Sequence, residues 1–253
     1  DQPADACTLI EGTGPHLLLI GDSHAGMMIP TLRAIARTHN LTLSVAVEKG
    51  CPWQHDLYVR PLAGDSIRVD LCQQFKDDSY DRVLPALDPD VVIVMSRAYE
   101  ALGERLQFVG PDRQEMDMSS PDLGSWLEAR TVGSLDELAA DRRAVVLLEP
   151  IPSPPDEFDT LACLSGAAVV EECRYVTDRD LSASEEVYRR LDAADERVWS
   201  TDLDGLICPF LPICDAIVEG EVVKTDGSHL TGAFARTLAP GLADYLTSNG
   251  ILP

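Results

Sequence analysis

Ser23, Asp226 and His229 are the residues whose types can combine into nucleophilic chemistry in this chain. A serine hydroxyl is a weak nucleophile until a base takes its proton, and the base works best when a third group holds its ring in the right tautomer. Ser23 closes the stretch His16-Leu17-Leu18-Leu19-Ile20-Gly21-Asp22-Ser23-His24, in which an aliphatic run ends abruptly in a small polar turn. Near the far end of the chain, Asp226-Gly227-Ser228-His229 supplies an imidazole and, three positions before it, a carboxylate able to orient its Nδ1 proton. Gly-Asp-Ser alone also reads as an ordinary turn capping a helix. The second block, just ahead of the last helical pattern, turns the reading toward a split serine site.

Such a site needs elements that bring its halves together. The aliphatic runs at 17–20 and 91–95 fit strands buried on both faces of a parallel sheet, whose ligands sit beyond the carboxyl ends of the strands. Further strands are expected at 41–47, 144–148 and 197–203, and helices at 25–38, 80–87, 126–142, 184–194 and 231–249. Met27 and Met28 read as core packing in the first of these helices, which starts just after Ser23 and tolerates Pro30 only near its first turn. Residues 54–79 read as an irregular excursion, 100–124 as a loop, and the proline cluster at 149–155 as a rigid loop over the sheet edge. The alternation predicts an α/β fold, a three-layer α/β/α sandwich whose mostly parallel, five-stranded, flavodoxin-like sheet has the order 2-1-3-4-5. Residues 1–15 are expected to be a linker or N-terminal extension and 16–253 a single catalytic domain.

Composition narrows the partners. With 253 residues, 45% hydrophobic and 25% charged, the chain is long enough to bury a sizeable core in one domain. A net charge of -23, from 43 acidic side chains, argues against nucleic acid and favours a neutral or weakly charged substrate. No apolar segment approaches the roughly 18–20 residues of a membrane-spanning helix. The opening Asp-Gln-Pro-Ala-Asp suggests a piece cut from a longer protein. The cysteines fall into three sequence-local pairs, Cys51-Cys72, Cys163-Cys173 and Cys208-Cys214, with Cys7 left over. Their irregular spacings and the scattered histidines do not suit zinc, so no metal site is expected, and disulfides are preferred over free buried thiols. Bridges would place the chain outside the cytoplasm.

Gly21-Asp22-Ser23-His24 resembles the first block of the SGNH/GDSL hydrolases, and Asp226-Gly227-Ser228-His229-Leu230-Thr231 resembles their last. With the Cys51-Pro52 turn after the second strand and the paired cysteines, the pattern is similar to the extracytoplasmic SGNH domain of acyltransferase-3 membrane proteins, which modify cell-surface glycans. The resemblance implies Ser23 as nucleophile, His229 as general base and then acid, and Asp226 as the orienting carboxylate. It implies oxyanion donors at the Ser23 backbone N–H and at Gly50, while the family's third block, Gly-x-Asn-Asp, is replaced by Met95-Ser96-Arg97-Ala98 and leaves Arg97 as a candidate substitute. His24, Trp53 and Tyr99 are substrate-binding candidates: His24 reads equally as a packed or capping histidine beside the elbow, and Trp53 and Tyr99, which could stack on sugar rings, read equally as core or bridge-shielding residues. Asp22 reads as a local backbone cap and Ser228 as a turn residue.

The function this implies is an O-acyltransferase that moves a short acyl group, acetyl, through an acyl-serine onto a carbohydrate hydroxyl. A carbohydrate or lipid esterase uses the same residues with water as acceptor, and a non-catalytic glycan-binding module is the rival of a different kind. No cofactor is expected. The expected partners are a glycan acceptor and an acyl donor delivered by an acyltransferase-3 membrane domain of the same full-length chain, which would tether this part on the periplasmic or cell-surface side.

Overall fold

The computed structural model describes residues 3–62, 67–155, 158–178 and 180–253. Its centre is a six-stranded sheet formed by β1 (Thr8–Ile10), β2 (His16–Gly21), β3 (Thr42–Val47), β4 (Val91–Met95), β5 (Ala144–Leu148) and β6 (Val198–Thr201), in the order β1-β3-β2-β4-β5-β6. The strands from β3 to β6 pair in parallel, and β1 runs antiparallel along the edge of β3.

Alternation along the central strands explains their unbroken apolar sequences. Leu17 and Leu19 enter one core while Leu18 and Ile20 enter the other, and Val91, Ile93 and Met95 are likewise separated from Val92 and Val94. A strand with a core on each face needs aliphatic residues at every position, because no side chain is left pointing to water.

The expected order holds for the five parallel strands. The sheet has one strand more than the five expected: β1 lies within the 1–15 segment read as a linker or extension, and at three residues it is too short to show a periodicity. Two expected helices are each divided. The 25–38 segment forms α1 (Ser23–Met27) and α2 (Ile29–His39), and 231–249 forms two helices of its own, Gly232–Thr237 and Ala239–Ser248. Pro30 and Pro240 stand in the first turn of the second helix of each pair, where a proline has no N–H to continue the preceding ladder.

The excursion and loop are also more ordered than expected. Tyr58–Pro61, Leu106–Val109 and Glu115–Met116 form a small antiparallel sheet, and α3 (Ile67–Asp78) precedes the helical run that ends at Leu87. Positions 63–66 of the excursion lie outside the described residues. Two further helices, α4 (Leu123–Leu138) and α5 (Ala183–Asp192), pack on the Leu18/Ile20 side. α6 (Gly232–Thr237) and α7 (Ala239–Ser248) join α2 on the Leu17/Leu19 side. The three cysteine pairs are bridged as Cys51–Cys72, Cys163–Cys173 and Cys208–Cys214, and Cys7 is free. No helix among the described residues is long and apolar enough to cross a membrane.

Candidate active site

β2 is the strand at which the sheet order reverses, since its continuation β3 lies on one side and β4 on the other. The crevice beyond the carboxyl end of such a strand is where open α/β sheets place ligands. β2 delivers the Gly21-Asp22-Ser23 turn to that point. At Gly21 the backbone has φ +151° and passes so close to β4 that an added Cβ would lie 1.9 Å from the Met95 carbonyl oxygen. Only glycine lets the chain make this turn against its neighbour.

Asp22 then caps α1 and is itself completely buried. Its carboxylate accepts from the His24 N–H at 2.7 Å, from the Arg97 N–H at 3.0 Å and from the Tyr99 hydroxyl at 2.5 Å. Burial raises the Asp22 pKa, and these donors act against that rise. The elbow is thus tied both to its own helix and to the segment leaving β4.

The second half of the site is a tight loop. Lys224 and Leu230 face one another in an antiparallel bridge, and Thr225 N–H donates to the His229 carbonyl at 2.8 Å. Inside it, Asp226 Oδ1 accepts from the backbone N–H groups of Ser228 at 2.6 Å and His229 at 2.8 Å. His229 Nδ1 is 2.9 Å from Asp226 Oδ2 and 3.0 Å from Ser228 Oγ, while its Nε2 is 2.8 Å from Ser23 Oγ. With Nδ1–H donating to the carboxylate, Nε2 is the free acceptor for the serine proton. Burial pushes the Asp226 carboxyl up, but the Ser228 and His229 amides and the imidazole outweigh it and hold the pKa at about 2.

Ser23 and His229 open onto a groove of about 690 Å³, lined also by Asp22, Gly26, Met27, Val47, Glu48, Lys49 and Asp226. Its lining combines the apolar Met27 and Val47 with side chains of both charge signs. The arrangement can pass a proton from a hydroxyl to an imidazole while a carboxylate steadies the ring, which is the chemistry of acyl transfer through serine.

The remaining candidates lie elsewhere. His24, Trp53 and Tyr99, expected to touch substrate, are 2%, 1% and 7% exposed and none lines the groove. Trp53 Nε1 donates to the Tyr188 hydroxyl of α5 at 2.9 Å, and the Tyr99 hydroxyl is occupied by Asp22, so Trp53 is packed under α5 and Tyr99 braces the elbow, and neither presents a face to a sugar. The His24 ring packs edge-on against His229, with centroids 5.2 Å apart, and neither of its nitrogens has a hydrogen-bond partner among the described residues. Burial, and then the charges of His229, Arg97 and Lys224, lower its pKa well below the usual histidine value.

Gly50 sits in a left-handed turn after β3, where Glu48 and Lys49 line the groove instead. The Arg97 N–H is already bonded to Asp22, which leaves only its side chain as a donor candidate. Gly26, Glu48 and Lys49 were not singled out from sequence. Their only signal is position: one turn of helix beyond the nucleophile, and the end of the neighbouring parallel strand.

The family description "SGNH domain (fused to AT3 domains)" matches residues 1–244. The chain belongs to this SGNH family. Among solved structures, this SGNH domain is similar to the periplasmic domain of the lipopolysaccharide acetyltransferase of Salmonella ser. Paratyphi A, with TM-score 0.64, 11% identity, and coverage of 96% of this chain and 87% of that one. It is also similar to LAE5, an alpha/beta hydrolase enzyme from the metagenome of Lake Arreo, Spain, with TM-score 0.52, 14% identity, and coverage of 96% and 98%. At these identities the likeness shows a shared fold. No match was found among curated proteins.

Proposed function

We propose that the domain is an O-acyltransferase that carries a short acyl group, acetyl, on Ser23 and passes it to a hydroxyl of a cell-surface carbohydrate. The single observation that carries this reading is the unbroken chain from Ser23 Oγ through His229 Nε2 and Nδ1 to Asp226, at 2.8 Å and 2.9 Å, opening on the groove. The family's fusion to AT3 domains supports transfer, because a membrane acyltransferase in the same chain is a source of donor acyl groups. The three disulfides support a location outside the cytoplasm, tethered to such a domain.

In the proposed reaction His229 Nε2 takes the proton as Ser23 Oγ attacks the donor carbonyl. The tetrahedral intermediate collapses, the leaving group receives that proton, and the acyl-serine remains. The acceptor hydroxyl then loses its proton to His229 and attacks the ester, and Ser23 recovers its proton as the sugar ester departs. The Ser23 N–H, at the start of α1 and on the groove, is the proposed oxyanion donor; loss of one such donor typically costs about 10²–10³-fold in rate.

An esterase is the second reading, and the openness of the groove favours it: the His229 side chain is 32% exposed, so water reaches the base directly. Labelling with a fluorophosphonate, followed by peptide mapping, tests both catalytic readings. Modification of Ser23 in the wild type and its loss in Ser23→Ala are expected; an unlabelled wild type or an equally labelled variant would sink them. Partition of acyl groups between free acid and a panel of glycan acceptors separates transfer from hydrolysis.

A further inference from the structure

Lys224 is completely buried, and its Nζ donates to the Pro152 carbonyl at 2.5 Å. It opens the loop that carries Asp226 and His229, whereas Pro152 belongs to the proline-rich segment that leaves β5. The contact therefore links the loop to the segment that leaves β5. Burial lowers the Lys224 pKa to about 7, with the charges of Asp226 and Asp204 favouring the ammonium and that of Arg97 opposing it. An apolar side chain of equal length would fill the same space without the cost of desolvating a cation. What the amine adds is direction, an N–H aimed at a fixed carbonyl in either protonation state.

We propose that Lys224 is a positioning residue of the acyl-transfer site: by tying the 224–230 loop to the Pro152 carbonyl, it sets the distance of His229 and Asp226 from Ser23. Lys224 does not line the groove and acts only through the loop. His24, packed edge-on against the imidazole, supports the same ring from the α1 side. The sensitivity is high because a misplacement of about 1 Å between reacting groups can cost about 10²-fold in rate. The proposal rests on the reading of Ser23, Asp226 and His229 as the reacting groups.

The test compares wild type, Lys224→Met and Lys224→Ala, with rates expressed per folded molecule from near-ultraviolet circular dichroism. The readouts are the rate constant for fluorophosphonate labelling of Ser23, kcat and KM for p-nitrophenyl acetate, and the proton resonance of His229 Nδ1–H. For both variants the labelling constant and kcat are expected to fall at least about tenfold with KM within about twofold. The imidazole resonance is expected to shift or broaden, and propylamine to restore part of the Lys224→Ala rate. Wild-type rates per folded molecule with an unmoved imidazole proton overturn the proposal.

If neither variant folds, the wild type carries the test. The ¹⁵N resonance of Lys224 Nζ should move when Ser23 is phosphonylated, and an insensitive resonance overturns the proposal equally. An unlabelled wild type removes the underlying function, whereas a labelled wild type with unaffected variants removes only the role of Lys224.

Discussion

Asp226 retains its charge to about pH 2, because the Ser228 and His229 amides and the imidazole together outweigh burial. The sign follows from linkage: a carboxyl whose folded pKa lies below its unfolded value of about 3.9 stabilises the fold above that value and loses the contribution as pH falls toward 2. Any fall in the rate of the proposed reaction above that pH is therefore expected to come from a group other than Asp226. In Asp226→Asn the carboxamide cannot hold the Nδ1–H tautomer, and kcat for p-nitrophenyl acetate is expected to fall by about 10⁴-fold with the fold intact. A loss of less than about tenfold would remove Asp226 from the orienting role. Ser228 Oγ, 3.0 Å from the same ring nitrogen, is positioned to supply any residual orientation in that variant.

The elbow is the element on which the site depends, and its geometry is set by contact with β4. Asp22 N–H reaches the Met95 carbonyl at 3.4 Å, the Gly21 carbonyl accepts from Glu48 N–H at 3.0 Å, and the Asp22 carboxylate takes the Arg97 amide and the Tyr99 hydroxyl. The turn is therefore held by both strands that flank β2. Gly21→Ala places a Cβ 1.9 Å from the Met95 oxygen, at a φ of +151° that side chains rarely adopt. This variant is expected to lose about 3 kcal/mol of stability or more by urea unfolding. A cost below about 1 kcal/mol would mean that β2 and β4 part easily, and that the elbow does not depend on their close approach.

The whole molecule carries a net charge of -23, yet it buries two lysines completely, Lys76 and Lys224. Burial lowers the pKa of both, that of Lys224 to about 7. An unfolded lysine keeps its proton to about pH 10.4, so between about pH 7 and pH 10 the unfolded chain binds more protons than the folded one, and stability rises with pH. Below that window both states are protonated and the desolvation penalty is present in full. Urea unfolding at a series of pH values is expected to show a smaller rise in Lys224→Met than in wild type across the window. Equal slopes would mean that Lys224 stays protonated in the folded state. The net charge of -23 meanwhile disfavours polyanionic partners.

The parallel strands and the two blocks that meet at the site were legible from residue types alone, because each is written locally, whereas the strand order was an expectation that pairing along the sheet bore out. Unbroken aliphatic runs mark strands with a core on both faces, and glycine, aspartate and serine at a strand end mark a turn that presents a hydroxyl. Pro30 and Pro240 were equally visible, but whether a proline starts a helix or divides one depends on the preceding turn. The strand Thr8–Ile10 and the small sheet around Tyr58–Pro61 escaped because their segments are too short for a periodicity and exist through pairing partners distant in the chain. Tertiary structure alone decided which side chains face the groove. Trp53, Tyr99 and His24 have the chemistry to meet a sugar, but burial depends on what packs over a residue, and here other elements cover all three. It alone also brought Lys224 to Pro152 across 72 positions of chain, a contact that no spacing encodes and that arises where the chain leaving β5 meets the 224–230 loop.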